Sequence, residues 1–270
     1  MLSPLDAIIL GAVEGITEFL PISSTGHLLI VQRLLGLGTG SGKSAADTYA
    51  IAIQLGAIVA VIGIYRSRIA SMFRGLVGRD RAGLRLVELL AVAFAPSAII
   101  GLAFDDAIKA HLFGVWPVIA AWVVGGVFLL VWRPAPGHLE LHQLSFGVAG
   151  LIGAAQVLAL WPGTSRSLAT IAAGLALGVT ASAAVEFSFL LGLITLSAAT
   201  ALDLIKHGGD VRDQFGLATP ALGAIVAAIT ATIAVAWFIG YLRTRPMTVF
   251  GWYRLAAAAA AVVLVMTSQI

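Results

Sequence analysis

The sequence predicts an all-α polytopic membrane protein: six transmembrane helices plus two re-entrant helical hairpins, in two inverted-topology repeats. Three observations lead there. First, 60% of the 270 residues are hydrophobic and 11% charged, against about 45–50% and about 25% in a soluble domain. Second, six stretches are apolar over the length of about 20 residues that a spanning helix needs. They lie at roughly 46–65, 86–104, 113–132, 181–202, 217–240 and 249–268. Third, two more apolar regions, about 5–36 and 144–178, are interrupted near their middles.

The first region breaks at "LPISSTGH" and the second at "LWPGTSRS". Proline removes a backbone donor and disfavours helix at the residue before it. Each half is too short to cross a bilayer, so each region is expected to enter the membrane, turn and return. Non-helical backbone at that depth is tolerated only where protein or a water-filled cavity surrounds it. Both breaks should therefore line a cavity.

The regions also resemble each other. Leu20-Pro21-Ile22-Ser23-Ser24 lines up with Trp161-Pro162-Gly163-Thr164-Ser165, and "AIQLGAIVAV" (52–61) with "SFLLGLITLS" (188–197). Residues 1–270 then form a single membrane domain, with one repeat over about 1–133 and the other over about 140–270. Each repeat holds a hairpin and three spans, an odd number, so the second is inverted relative to the first. Inverted repeats bring broken helices together near the midplane, where substrates bind.

Basic residues set the orientation. Arg66, Arg68, Arg74, Arg79, Arg81 and Arg85 crowd the loop at 66–85, Arg243, Arg245 and Arg254 mark a second basic end, and Arg133 a third. These are expected on the cytoplasmic side, with the loops "DDAIKAH" (105–111) and "DLIKHGGDVRD" (203–213) opposite. The net charge of +3 follows these loops and does not suggest nucleic acid; with no cysteine, disulfide and thiol chemistry are excluded. The N-terminal stretch has no basic n-region and is expected to belong to the mature fold.

Polar residues inside the breaks carry the chemistry. Glu14 and Glu18 share a helix face, and ionisable groups in apolar stretches suggest function. The pair suits a divalent cation such as Mg²⁺, a general acid or base, or a plain structural role. Ser23, Ser24 and Thr25 cap a helix that starts inside the membrane, where free N–H groups favour an anion such as phosphate. His27 can face the same pocket and act as base to Ser24, or be a satisfied buried histidine. Arg166 stands between Ser165 and Ser167 with no other charge from 144 to 185. Its guanidinium matches phosphate oxygens, or else pairs with Glu14, Glu18 or Glu186. Gln54 and Glu186, inside spans of the two repeats, could support the site. "GLGTGSGKS" (36–44) has Leu37 where a P-loop needs glycine and is expected to be a flexible connector. "HLELH" (138–142) is expected to be a loop. Acids, hydroxyls at helix starts, one histidine and one arginine make up a phosphoryl-transfer set.

These residues resemble the undecaprenyl-diphosphate phosphatase family of the bacitracin-resistance type. "EGITEFLPISSTGHLLI" is similar to its first signature, "QVLALWPGTSRS" to its second, and "EFSFLLGL" (186–193) to a further shared stretch. The resemblance runs over nearly the whole chain. It implies hydrolysis of undecaprenyl diphosphate to undecaprenyl phosphate, which recycles the lipid carrier for peptidoglycan synthesis and gives bacitracin resistance. It further implies Mg²⁺ or Ca²⁺ dependence and a multi-pass protein of the bacterial inner membrane. The active site would face the periplasm, among membrane lipids, and a homodimer is allowed for. Glu14, Glu18, Ser24, Thr25 and His27 match the first signature; Ser165, Arg166 and Ser167 match the second. Leu168 departs from the family's usual glycine.

The working hypothesis has Ser24 attack, His27 accept its proton, and Arg166 with a glutamate-bound cation stabilise charge. Attack by His27 or by metal-activated water is the rival. A polyprenyl-phosphate transporter or flippase is the alternative function, since broken helices in inverted repeats are also a transporter design. A second lipid-phosphatase class is set aside, because the position six after Arg166 is Ala172 and no histidine follows before His207.

Overall fold

The computed structural model describes residues 3–37, 41–215, 218–242 and 244–270. All named elements are helical: α1 (Pro4–Thr17), α2 (Ser24–Leu34), α3 (Ser41–Ile64), α4 (Arg66–Leu76), α5 (Arg81–Leu112), α6 (Val115–Val131), α7 (Phe146–Gln156), α8 (Arg166–Ala176), α9 (Ala181–Phe215), α10 (Ala218–Leu242) and α11 (Thr248–Met266). The nearest approach to β structure among the described residues is an isolated bridge, Leu139 to Val179. The protein is an all-helical polytopic membrane protein. Large apolar side chains such as Ile99, Leu102, Val124, Ile229 and Ile233 lie exposed on its outer faces. In water such a surface would aggregate; in lipid it is solvated.

Among the described residues, four helices are long and apolar enough to cross a bilayer: α5, α9 over Ala181–Asp203, α10 and α11. The segment Ala52–Ile64 continues into α4 through a bend of 85°, and α6 is a shorter apolar helix of 17 residues. The basic stretch expected as a loop is helical over Arg66–Leu76. The reason is local: a Gly75–Gly78 turn and the Asp80 N-cap fold α4 back onto α5. Two other expected loops are also helix. α5 continues through 105–111 and α9 through 203–213, with a non-helical residue at Phe104 marking a kink in α5. The expected connector at 36–44 lies partly outside the described residues, and from Ser41 the backbone is helical. "HLELH" is loop with a single 3₁₀ turn, as expected.

Both broken regions are broken in the structure. α1 stops at Thr17 and α2 begins at Ser24. α7 passes through a 3₁₀ turn, Val157–Leu160, and α8 begins at Arg166. The break backbones match. Ser23 caps α2 with φ 72° and ψ 104°, and Ser165 caps α8 with φ 74° and ψ 117°. Non-glycine residues rarely adopt positive φ, and each such residue costs about 1–3 kcal/mol. The same unusual turn occurs twice, at equivalent places. The caps align Ser23 with Ser165, one position away from the alignment drawn on the prolines.

Helix packing encloses these breaks. α1 packs on α10, α10 on α3, α3 on α9, α8 on α9, α5 on α7, and α6 on α11. The main apolar core joins Phe19, Leu20 and Ile22 of the first break to Leu168 and Ile171 of α8 and to Phe187, Phe189 and Leu190 of α9. Leu168 therefore points into the core.

Candidate active site

The first carboxylates sit at the end of α1. The Glu18 backbone N–H closes the helix onto the Glu14 carbonyl at 2.9 Å, and both side chains are buried. Beyond Glu18 the chain leaves the helix, passes Pro21 and restarts at Ser24. That six-residue excursion folds Ser24 back over the end of α1, and its hydroxyl donates to Glu18 Oε2. On the other side, Arg166 Nη2 donates to Glu18 Oε1 at 2.9 Å. One buried carboxylate thus receives a serine from the first break and an arginine from the second.

Arg166 is the first residue of α8. Its Nη1 is buried and has no hydrogen-bond partner among the described residues, and its guanidinium lies 5.7 Å from the centre of the Phe19 ring. A side chain at Gly192 of α9 would collide with the guanidinium, so the glycine of "EFSFLLGL" leaves room for it. A buried N–H donor without an acceptor costs free energy, and a phosphate oxygen would remove that cost.

The serines beside these groups hold the two breaks together. Ser165 and Ser167 hydroxyls donate to the Leu20 carbonyl at 3.2 and 2.8 Å, and they lie 3.0 Å apart. Ser23 Oγ accepts from Gly163 N–H at 3.2 Å and from Gly26 N–H at 3.4 Å. Thr25 stands exposed in the first turn of α2.

His27 and Ser24 are not joined by a hydrogen bond. His27 Nδ1 lies 2.7 Å from the Ser23 carbonyl, which makes it the protonated nitrogen, and Nε2 lies 2.8 Å from the Tyr253 hydroxyl. Gln54 and Glu186 have partners of their own. The Gln54 carbonyl accepts from Thr200 at 2.7 Å, and Glu186 accepts from Arg68 Nε at 2.5 Å.

Sequence reasoning placed Arg254 at a basic membrane end. It is fully buried instead, and donates to backbone carbonyls of both breaks and of α6. The signal was available: a lone cation inside the apolar run 249–268 should be read as functional. Tyr253, its neighbour on α11, was likewise missed.

No group of three or more His, Cys, Asp or Glu side chains that could hold a metal ion occurs among the described residues. Glu14 and Glu18 offer oxygen donors from two carboxylates only. That set fits Mg²⁺, which keeps several waters and takes one or two carboxylates plus substrate phosphates.

The chain's residues 7–260 match the family model described as bacitracin resistance protein BacA. It is 46% identical to the undecaprenyl-diphosphatase of Sorangium cellulosum over 262 residues, 94% of this chain and 84% of that one. It is also 46% identical to undecaprenyl-diphosphatase 2 of Rhodospirillum rubrum, over 93% of this chain and 90% of that one. The undecaprenyl-diphosphatase of Dechloromonas aromatica is 43% identical, over 93% and 91% respectively. With a site built from both broken regions and relatives of this similarity along nearly its whole length, the chain belongs to the bacitracin resistance protein BacA family.

Proposed function

We propose that this protein is an integral-membrane phosphatase that hydrolyses undecaprenyl diphosphate to undecaprenyl phosphate and inorganic phosphate. The observation that carries the reading is the shared Glu18 carboxylate, with Ser24 on one oxygen and Arg166 on the other. A nucleophile and an anion clamp, each at a helix N-terminus, meet there on a base at the end of α1.

Ser24 Oγ attacks the terminal phosphorus while its proton passes to Glu18. Glu18 replaces His27 as the base because the hydroxyl already donates to it. The Oγ–P bond forms, the bridging P–O bond breaks, and undecaprenyl phosphate leaves. Glu18 gives that proton to the departing phosphate. Water then attacks the phosphoserine and passes its proton to the freed carboxylate, which returns it to Ser24 Oγ as the Oγ–P bond breaks and inorganic phosphate leaves. Arg166 Nη1, without an acceptor among the described residues, takes a phosphoryl oxygen. His27, held by Ser23 and Tyr253, orients the break. Glu14 and Glu18 would hold Mg²⁺ or Ca²⁺, which when bound neutralises diphosphate charge. Thr25, exposed at the start of α2, is available to the outer phosphate. Ser23, Ser165 and Ser167 shape the cradle through the backbone.

The prenyl chain has a place to lie. An apolar groove of about 380 Å³ runs between Ile16 and Leu20 near the first break and Thr230, Ile233, Ala234 and Trp237 of α10. Leu20 is also the residue whose carbonyl receives Ser165 and Ser167, so groove and site share a wall.

The membrane arrangement belongs to the same proposal. Six crossing helices and two re-entrant hairpins form inverted repeats over about 1–133 and 140–270, in the bacterial inner membrane with the site toward the periplasm. The matching break geometry supports the repeats. The hairpin helices α1, α2, α7 and α8 have 14, 11, 11 and 11 residues, short of the roughly 20 needed to cross. Purified protein given undecaprenyl diphosphate should release inorganic phosphate, and a chelator should stop it. A transporter would move the lipid without releasing phosphate.

A further inference from the structure

Arg254 is 0% exposed, and among the described residues it takes part in no ion pair. A buried cation without an acid needs other compensation. Here it comes from carbonyl dipoles. Nη1 donates to Pro21 O at 3.2 Å and Thr164 O at 3.1 Å, and Nη2 to Gly163 O at 2.8 Å and Ala121 O at 2.7 Å. Nε completes the set on Trp122 O at 3.4 Å.

Three of those carbonyls lie in the breaks. Pro21 stands two residues before the Ser23 cap, and Gly163 and Thr164 directly precede the Ser165 cap. Their backbone is non-helical, so no helix ladder supplies donors. The other two acceptors are carbonyls inside α6, which have a second lone pair to offer. One planar guanidinium therefore ties both breaks to one helix. The approach requires Gly125: a Cβ there would meet the guanidinium.

We propose that Arg254 is a positioning residue for the phosphatase reaction. It sets the distance between the two breaks, and through them the register of Ser24 and Glu18 against Arg166. It touches none of these side chains, and it rests on the phosphatase reading only for its kinetic consequence. Lysine cannot replace it, because a single ammonium cannot reach the carbonyls that a five-donor fork spans. A misplacement of about 1 Å in an active site costs roughly a hundredfold in rate.

The test uses purified full-length protein, wild type, Arg254→Lys and Gly125→Ala. The second variant keeps the arginine but crowds its guanidinium. Hydrogen exchange followed by mass spectrometry reads the backbone, and phosphate release from undecaprenyl diphosphate gives kcat and KM. The expected result is faster exchange in both 19–28 and 161–169. It is accompanied by a kcat lowered on the order of a hundredfold with little change in KM. Exchange confined to α6 and α11, or a kcat within about twofold of wild type, overturns the proposal. So does failure of both variants to fold, which would make Arg254 a folding residue only. Should wild type release no phosphate, the phosphatase reading fails, while the exchange pattern still decides whether Arg254 couples the breaks.

Discussion

The Ser24 hydroxyl donates to Glu18, six residues earlier in the chain. The pair exists because the break between α1 and α2 turns the chain back on itself, placing a hydroxyl over a carboxylate that ends the preceding helix. That carboxylate is also the partner of Arg166, 148 residues later. The proposed nucleophile, base and clamp are therefore one hydrogen-bonded unit, and its members should act together.

Ser24→Ala is expected to abolish activity with folding unchanged. A serine that only donated a hydrogen bond would cost about 10²–10³-fold on removal, so a defect that small would assign the attack elsewhere. Glu18→Gln should be comparably damaging and His27→Gln clearly milder, because the proposed proton acceptor is Glu18, to which the hydroxyl donates. A phosphate trapped on His27 would refute both assignments. Measuring kcat for all three variants, with a search for phosphoenzyme, decides between them.

Arg166→Lys should lose most activity although charge is kept. Lysine could still pair with Glu18 but would not present the planar fork that Nη1 and Nη2 offer together. The expected loss is on the order of a hundredfold in kcat/KM, about 2.7 kcal/mol of transition-state stabilisation. Near-normal turnover would reduce Arg166 to charge balance.

Ile233→Trp should fill the apolar groove beside Leu20. Ile233 is largely exposed, so the core is undisturbed. KM for undecaprenyl diphosphate should rise roughly tenfold, about 1.4 kcal/mol, while KM for farnesyl diphosphate stays put. Equal effects on both substrates would place the long chain elsewhere.

The α4–α5 turn should weaken in acid. Asp80 caps α5 through Gly83 N–H at 3.0 Å and accepts from Ser71 Oγ at 2.7 Å. The hydrogen bond from Ser71, then that from Gly83, with Arg74 nearby, hold its carboxyl below the usual carboxylate range. A depressed value means the contribution is complete above the unfolded pKa of about 3.9 and is lost as pH falls through the lower folded value. Exchange in 71–84 should quicken on acidification in that window, and Asp80→Asn should flatten the response.

Residues 66–85 are expected on the cytoplasmic side, where their six arginines belong. Val77 is exposed, and the native chain has no cysteine, so Val77→Cys gives a clean reporter. It should resist an impermeant thiol reagent in intact cells and react after permeabilisation. Labelling in intact cells would invert the orientation and the side from which the site is reached.

What the sequence determined by itself is local in origin. Apolar length marks helices in all six expected spans, and proline, glycine and hydroxyls mark both breaks, because these signals act through a residue's own backbone and its near neighbours. Glu14, Glu18 and Arg166 stood out because a charge among apolar residues is costly wherever the chain folds. The packed structure decided who meets whom. Ser24 chose Glu18 over His27; Ser23, Ser165 and Ser167 became ties between the breaks; Gln54 and Glu186 took partners of their own. Arg254, read as a membrane-end charge, became the buried link between the breaks. Its acceptors lie from 90 to 233 residues away in sequence. No spacing rule encodes such a contact. It follows from the close approach of α6 and α11, where Gly125 leaves room for one guanidinium and the breaks present carbonyls that no helix can satisfy.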